Sequence, residues 1–404
     1  MPVLRQTITK GSYRKSLGES MKIRAITVGI EPGVPLQTTS IAAAGRFAAQ
    51  LRTECEAIDI PVQTVRLATP PFPSYLHDQP EADIHRYVKE LQDCCQTHGI
   101  EYCSIGPVNP QIEAEQRLFA MLPELIANTQ TVFASAVLAE SGQPLHVPTG
   151  RAIAEAIRDI AQATDEGFGN LRLAAVVNCG PHIPFFPAAY HAGPAAFSLA
   201  LEAADIVATV TQPGRGLDDF RAALVVEFER QVLPLQQLAQ RLVGQGYVFR
   251  GIDISPAPGP GSSISYAMES LGLGRFGEPG TLAVAAQITA ALKETNLHTC
   301  GYCGLMLPVL EDVGLAERNN EGRLRLSTLL SYSAVCGTGL DSIPVAGDVS
   351  IEKLTALLCD VAALGWKLGK PLSARLLPIP GKKAGDMTNF DFAYFVNTRV
   401  MDIE

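Results

Sequence analysis

The residues best placed to do chemistry fall in two short runs. At 333–348 the chain reads S-A-V-C-G-T-G-L-D-S-I-P-V-A-G-D, setting Cys336 beside Gly337 and Gly339, with Asp341 and Asp348 close behind. At 304–312 it reads G-L-M-L-P-V-L-E-D, an apolar run that stops on the paired carboxylates Glu311 and Asp312. Apolar strands ending on such side chains are how α/β sheets and barrels present functional groups to a substrate. Cys336 could act as nucleophile or hydrogen donor if a base or a helix N-terminus activated it. The glycines would let the backbone carry it into a cramped site. Free cysteine is also a common small core residue, which is the competing assignment. Glu311, Asp312 and Asp341 offer proton transfer or a divalent-cation site. Neighbouring strand residues face opposite ways, so Glu311 and Asp312 enter one site only if the chain turns there. Helix capping competes for Asp312 and fits Asp348 better than catalysis does.

Other candidates lie farther apart. The loop S-P-A-P-G-P-G-S-S at 255–263 follows an apolar run and could cradle a phosphate or carboxylate, with Asp253 and Ser255 at its entrance. Its prolines remove backbone donors, and it matches neither a Walker loop nor G-x-G-x-x-G, so no nucleotide is implied. Asn178 and His191 bracket N-C-G-P-H-I-P-F-F-P-A-A-Y-H, where His182 or His191 could supply a base or a metal ligand. A structural histidine is the alternative. C-G-Y-C at 300–303 has redox spacing but follows a helix instead of opening one, and no second ligand pair completes a zinc site. Arg375 opens an apolar run and carries a fork suited to a substrate carboxylate.

These residues need elements to position them. Strand-like runs at 23–30, 62–67, 101–105, 131–137, 171–178, 205–211, 247–254, 305–309 and 374–379 alternate with helical patterns at 41–58, 82–98, 111–127, 149–164, 217–243, 281–293, 323–333 and 351–368. About ten strands alternating with helices imply a mostly parallel sheet covered by helices. No low-complexity linker divides the chain, so residues 21–404 read as one domain behind a basic, mobile tail at 1–20. The 404 residues are 47% hydrophobic and carry a net charge of −9, with no basic aromatic stripe, which argues against nucleic acid or an anionic membrane as partner. No apolar run is long enough to span a bilayer, and the tail lacks the apolar core of a secretory signal. Nine cysteines, an odd number, do not suggest a disulfide framework. A cytoplasmic protein with a small-molecule ligand is expected, and a homo-oligomer is an open option.

With these residues in view, the chain resembles the uncharacterised family called domain of unknown function 711, often labelled pyruvate formate-lyase-like. The resemblance spans 21–387 and rests on K-I-R-A-I-T-V-G-I at 22–30, H-A-G at 191–193, G-I-D-I-S-P-A-P at 251–258, G-L-M-L-P-V-L-E-D, A-V-C-G-T-G-L-D, and R-L-L-P-I-P-G-K-K-A-G-D-M at 375–387. It implies a single-domain, ten-stranded α/β barrel like that of the glycyl radical enzymes, with Cys336 on a loop inside. The chemistry does not follow. Where those enzymes have Arg-Val-x-Gly, this chain has Arg399, Val400, Met401 and Asp402, so no glycine stores a radical. After Met387 the run N-F-D-F-A-Y-F replaces a Gly-rich tail, leaving that segment's part as lid or subunit contact open. The expectation is a non-radical lyase, hydrolase or isomerase for a small carboxylated or phosphorylated metabolite. Cys336, Asp341, Glu311, Asp312 and His191 would be catalytic, and Asn178, Asp253, Ser255 and Arg375 would bind substrate. A divalent cation is an option. The alternative is a non-catalytic metabolite sensor or scaffold that kept the barrel.

Overall fold

The computed structural model describes residues 21–404; the segment 1–20, expected as a tail, lies outside the described residues. Nine strands among them form one sheet: β1 Lys22–Gly29, β2 Val62–Ala68, β3 Tyr102–Val108, β4 Val132–Ala139, β5 Leu173–Val177, β6 Ala196–Glu202, β7 Val248–Ala257, β8 Gly339–Ala346 and β9 Leu372–Ile379. Their order is β7-β6-β1-β2-β3-β4-β5-β9-β8. From β1 to β5 the strands pair in parallel, each step crossing through helices such as Thr38–Glu56, Glu81–Thr97 and Val147–Ala163. β6 joins β1 and β9 joins β5 antiparallel, so a parallel β6–β7 pair and a parallel β8–β9 pair flank the block in the opposite sense. The alternating α/β pattern predicted this layering.

Three expectations need correction. The sheet does not close as a ten-stranded barrel: it stays open between β7 and β8. The expected strand at 305–309 pairs too little to close it. The run from 299 to 310 makes only single-residue bridges, Thr299 to Ile252 of β7 and Pro308 to Asp341 of β8. Pro308 has no N–H to extend a ladder, and Gly301 and Gly304 interrupt the run. The expected strand at 205–211 is the helix Ala204–Val210, and the strand lies just ahead as β6. A-D-I-V-A-T-V is apolar at both periods, so periodicity could not separate the two states. β8 was missed because Gly339 and Pro344 dilute its strand signal.

Helix ends follow local chemistry. Ser350 accepts from the Lys353 N–H to start Ile351–Leu368, and Gly369, in the left-handed region (φ +60°), ends it. The helices bury their apolar stripes on the sheet: Ile41, Leu51, Val65 and Leu67 share one core. Each such side chain contributes about 1.5–3 kcal/mol on full burial. Among the described residues no helix is long and apolar enough to cross a membrane.

Candidate functional site

Strand alternation gives the sheet a second character. In β2, Val65 and Leu67 join the helix-covered core, whereas Thr64 and Arg66 line a cleft of about 920 Å³ counted out to its mouth. In β9, Leu372, Ala374 and Leu376 are core residues, and Ser373 and Arg375 line the same cleft. Arg24 of β1 and Asp341 of β8 join them. Both of these sit at breaks in register. Between Ile23 and Ala25 the β1–β6 pairing slips by one residue, and between Leu340 and Ile343 three steps of β8 oppose two of β9. Such bulges re-aim side chains beside sites. Ser342, next to Asp341, holds a left-handed backbone (φ +49°), a conformation that costs a non-glycine residue on the order of 1–3 kcal/mol.

A buried ion cluster forms the cleft floor. Arg375 donates from Nε to Asp341 Oδ1 at 2.8 Å and from Nη2 to Glu311 Oε1 at 2.7 Å. Ser342 Oγ donates to the same Glu311 oxygen at 2.6 Å, and Arg24 Nη2 donates to Oε2. Arg24 also lies 3.7 Å from Glu202 and donates to the Pro258 carbonyl at 3.2 Å. The two carboxylates are pushed apart. Arg375 and Arg24, with the Ser342 hydroxyl, outweigh burial and hold Glu311 down at about 2. Burial, reinforced by the Glu311 charge, pushes Asp341 up against the pull of Arg375. Neighbouring carboxyls split this way are the pattern of a permanent anion beside a proton carrier.

Arg66 differs from the other two arginines. It donates from Nε to Thr64 Oγ1 at 3.0 Å, and among the described residues no carboxylate pairs with it. Its guanidinium lies over the Tyr102 ring, 5.7 Å from the centroid, and over Phe186 at 5.2 Å. Burial and then the Arg24 charge push it down to about 9, which leaves it cationic at neutral pH. A buried cation held by ring faces is short of a counter-charge, and an anion would supply one.

Apolar surface completes the cleft. Phe133 packs edge-on between Tyr102 and Phe186 at 5.3 and 5.2 Å. Phe392 and Tyr394 of the C-terminal segment form part of the wall, Tyr394 with its ring 5.8 Å from the Arg24 guanidinium. N-F-D-F-A-Y-F thus belongs to the cleft. Tyr302 enters from the C-G-Y-C turn: the buried Asp253 accepts the Tyr302 and Cys303 N–H groups at 2.7 and 3.1 Å and so wraps the turn. A side chain on Gly301 (φ +77°) would come 2.2 Å from Asp253 Oδ2, so the glycine is a steric requirement there.

Of the nine residues singled out from sequence, the cleft gathers Glu311, Asp341 and Arg375. Arg375 is already neutralised by the two carboxylates, so it does not offer the free cation expected of it. The other six serve packing or hydrogen bonding. Cys336 is fully buried in the main core, just past the C-terminus of helix Leu326–Ser333. It does not line the cleft. Lys370 caps the same helix end through the Ser333, Ala334 and Cys336 carbonyls. Asp312 accepts from Ser263 Oγ, the Ile264 N–H and the Leu315 N–H at 2.6–2.9 Å. Ser255 Oγ bridges Asp253 and the Gly304 N–H. Asn178 (φ +51°) accepts from Ser141 N–H and donates to the Gly365 and Lys370 carbonyls. His191 is buried with Nε2 on the Gly193 carbonyl at 2.9 Å and its ring 5.6 Å from His182, and burial pushes both rings down, His182 to about 4. Neither lines the cleft. Among the described residues no group of three or more His, Cys, Asp or Glu could hold a metal ion. Guanidinium donors instead occupy Glu311 and Asp341.

Sequence reasoning missed Arg24, Arg66 and the aromatic wall. The signal was available in V-Q-T-V-R-L-A at 62–68, where a cation interrupts a strand that should be apolar on both faces in a helix-covered parallel sheet.

The chain is similar in sequence, over most of its length, to proteins of archaea and bacteria. A UPF0210 protein of Methanopyrus kandleri is 28% identical over 403 residues, covering 91% of this chain and 88% of the relative. One of Pyrobaculum islandicum is 30% identical over 83% of this chain and 78% of its own length, and one of Listeria monocytogenes 26% identical over 92% and 89%. Residues 17–391, which carry Arg24, Arg66, Glu311, Asp341 and Arg375, match the model of a family described as "Uncharacterised ACR (DUF711)", and the chain belongs to that family.

Proposed function

We propose that this chain is a non-radical enzyme whose cleft binds a small carboxylated or phosphorylated metabolite through Arg66 and moves a proton on it through Asp341. The observation that carries the reading is Arg66: of three cleft arginines it alone has no carboxylate partner among the described residues. A cation stacked on Tyr102 and Phe186 and open to a cleft is a receptor for an anionic head. Asp341, pushed up by burial, is the group suited to give or take a proton beside it, while Glu311 stays ionised and holds Arg375 in place. Lyase, hydrolase and isomerase chemistry all use such a transfer. Asp402, at the position of the radical glycine, is an exposed partner of Lys353 away from the cleft lining, which supports the non-radical reading.

The test is a thermal-shift screen of small carboxylates and phosphate esters on the wild type and Arg66→Met. NMR then follows deuterium uptake from D2O into any hit, with wild type and Asp341→Asn. Expected are hits lost in Arg66→Met and exchange lost in Asp341→Asn. Hits that survive Arg66→Met overturn the anion site. Binding with neither deuterium exchange nor chemical conversion of the hit in the wild type overturns the enzyme and leaves a sensor.

A further inference from the structure

The cleft holds more than a charge. Seven of its 24 lining residues are aromatic, in a chain that is only 6% aromatic, so the rings are concentrated here far beyond composition. A cleft for a compact acid needs one cation and polar donors; ring faces contribute mainly when they meet another apolar or π surface. The rings come from two sources. Five, Tyr102, Phe133, Phe185, Phe186 and Tyr302, lie within the family match, Tyr102 and Phe186 of them against Arg66, whereas Phe392 and Tyr394 lie just beyond its end at 391.

The segment carrying Phe392 and Tyr394 is held firmly by groups other than those two side chains' cleft faces. The Val396 N–H donates to the Leu310 carbonyl at 2.6 Å, one residue before Glu311. Asn397 Oδ1 accepts from the Phe390 N–H and Thr388 Oγ1, and Thr398 Oγ1 donates to the Ala316 carbonyl. Phe390, Phe392 and Phe395 pack on Phe168, and Phe392 also meets the Phe395 ring, so one edge of Phe392 joins this cluster. These contacts make a fixed wall.

Resting on the anion-site reading, we infer that the ligand carries a flat aromatic or unsaturated body beside its anionic head, and that Phe392 and Tyr394 select that body. Arg66 and Asp341 then supply chemistry within the family match, and the two rings set which acid this chain accepts.

Calorimetric titration with four probes tests this: benzoate and phenylphosphonate against acetate and methylphosphonate. The wild type is expected to bind each aromatic acid at least tenfold tighter than its compact partner. Phe392→Leu with Tyr394→Leu should bring that ratio near one while compact-acid affinity stays within twofold, and Tyr394→Phe should keep the ratio. A wild-type ratio near one, or a ratio unchanged in the double variant, overturns ring selection and leaves the anion site standing. Equal loss of both series in the double variant, with a lower melting temperature, also overturns it, because the segment then only holds the fold. Arg66→Met separates the two readings: it should weaken all four acids by a similar factor. If it does not, the anion site falls while any measured ring preference stands. Binding of none of the four overturns both.

Discussion

Glu311 and Asp312 are neighbours in sequence, both buried carboxylates, and they do opposite work. Asp312 takes its donors from backbone N–H groups and a serine, tying the start of helix Val313–Asn320 to that of Ile264–Glu269. Glu311 takes its donors from two guanidinium groups and a hydroxyl at a cleft. A carboxylate saturated by backbone amides fixes the chain and has no freedom to change partner. One held by side chains facing open space can respond to a ligand. Asp253, wrapped by the N–H groups of Ser255, Tyr302 and Cys303, belongs with Asp312, and Asp341 belongs with Glu311.

The largest effect on stability should come from Asp312→Ala, which orphans three buried donors and uncaps helix Val313–Asn320. At about 1–3 kcal/mol per unsatisfied group, a loss of roughly 4–5 kcal/mol in urea unfolding is expected. A loss below about 1 kcal/mol would end the distinction drawn between the two carboxylates. Glu311→Gln comes next, at about 3 kcal/mol, because Arg375 and Arg24 lose a shared counter-charge while keeping Asp341 and Glu202.

Acid sharpens the contrast inside the cleft. Glu311 is held at about 2 against roughly 4.3 unfolded, so its contribution is fully present above about pH 4.5 and is lost as pH falls toward 2. The deficit of Glu311→Gln should therefore shrink over that window. Asp341 is raised, so its sign is opposite: its contribution is present at low pH and is lost as pH rises through the folded value. Asp341→Asn should consequently cost about 1 kcal/mol or less at pH 7, with Arg375 still paired to Glu311, while proton exchange falls by roughly 10²–10⁴. A parallel drop of several kcal/mol would make Asp341 a second structural anion.

The layering of strands and helices was legible because periodicity reports burial, and the carboxylate-ended run at 304–312 was legible because an apolar strand rarely stops on two acids. What each acid does was not, since Glu311 and Asp312 differ only in which way the chain turns after Leu310. Arg66 was passed over as one more polar residue in β2, although its mid-strand position was the clue. Phe392 and Tyr394 sit far along the chain from the cleft strands, and only tertiary structure brings them there. Cys336 drew attention through its glycines. Gly337 has a backbone reason for being there: a side chain on it would come 2.6 Å from Gly304, with which it packs back to back.

Cys336→Ala should give the smallest effect and tests that last distinction. The thiol is buried in the apolar core at a helix C-terminus, and its N–H bond to the Tyr332 carbonyl at 2.8 Å survives the change. Losing one small buried group should cost about 1 kcal/mol, read as a small shift of the urea midpoint. Ligand affinity and deuterium exchange should stay within twofold, because no cleft-lining side chain is altered. If exchange instead fell more than tenfold with the midpoint nearly unmoved, the sulfur would have to reach the reacting atoms. The division between side chains that hold the fold and those that face the ligand would then have to be redrawn around β8.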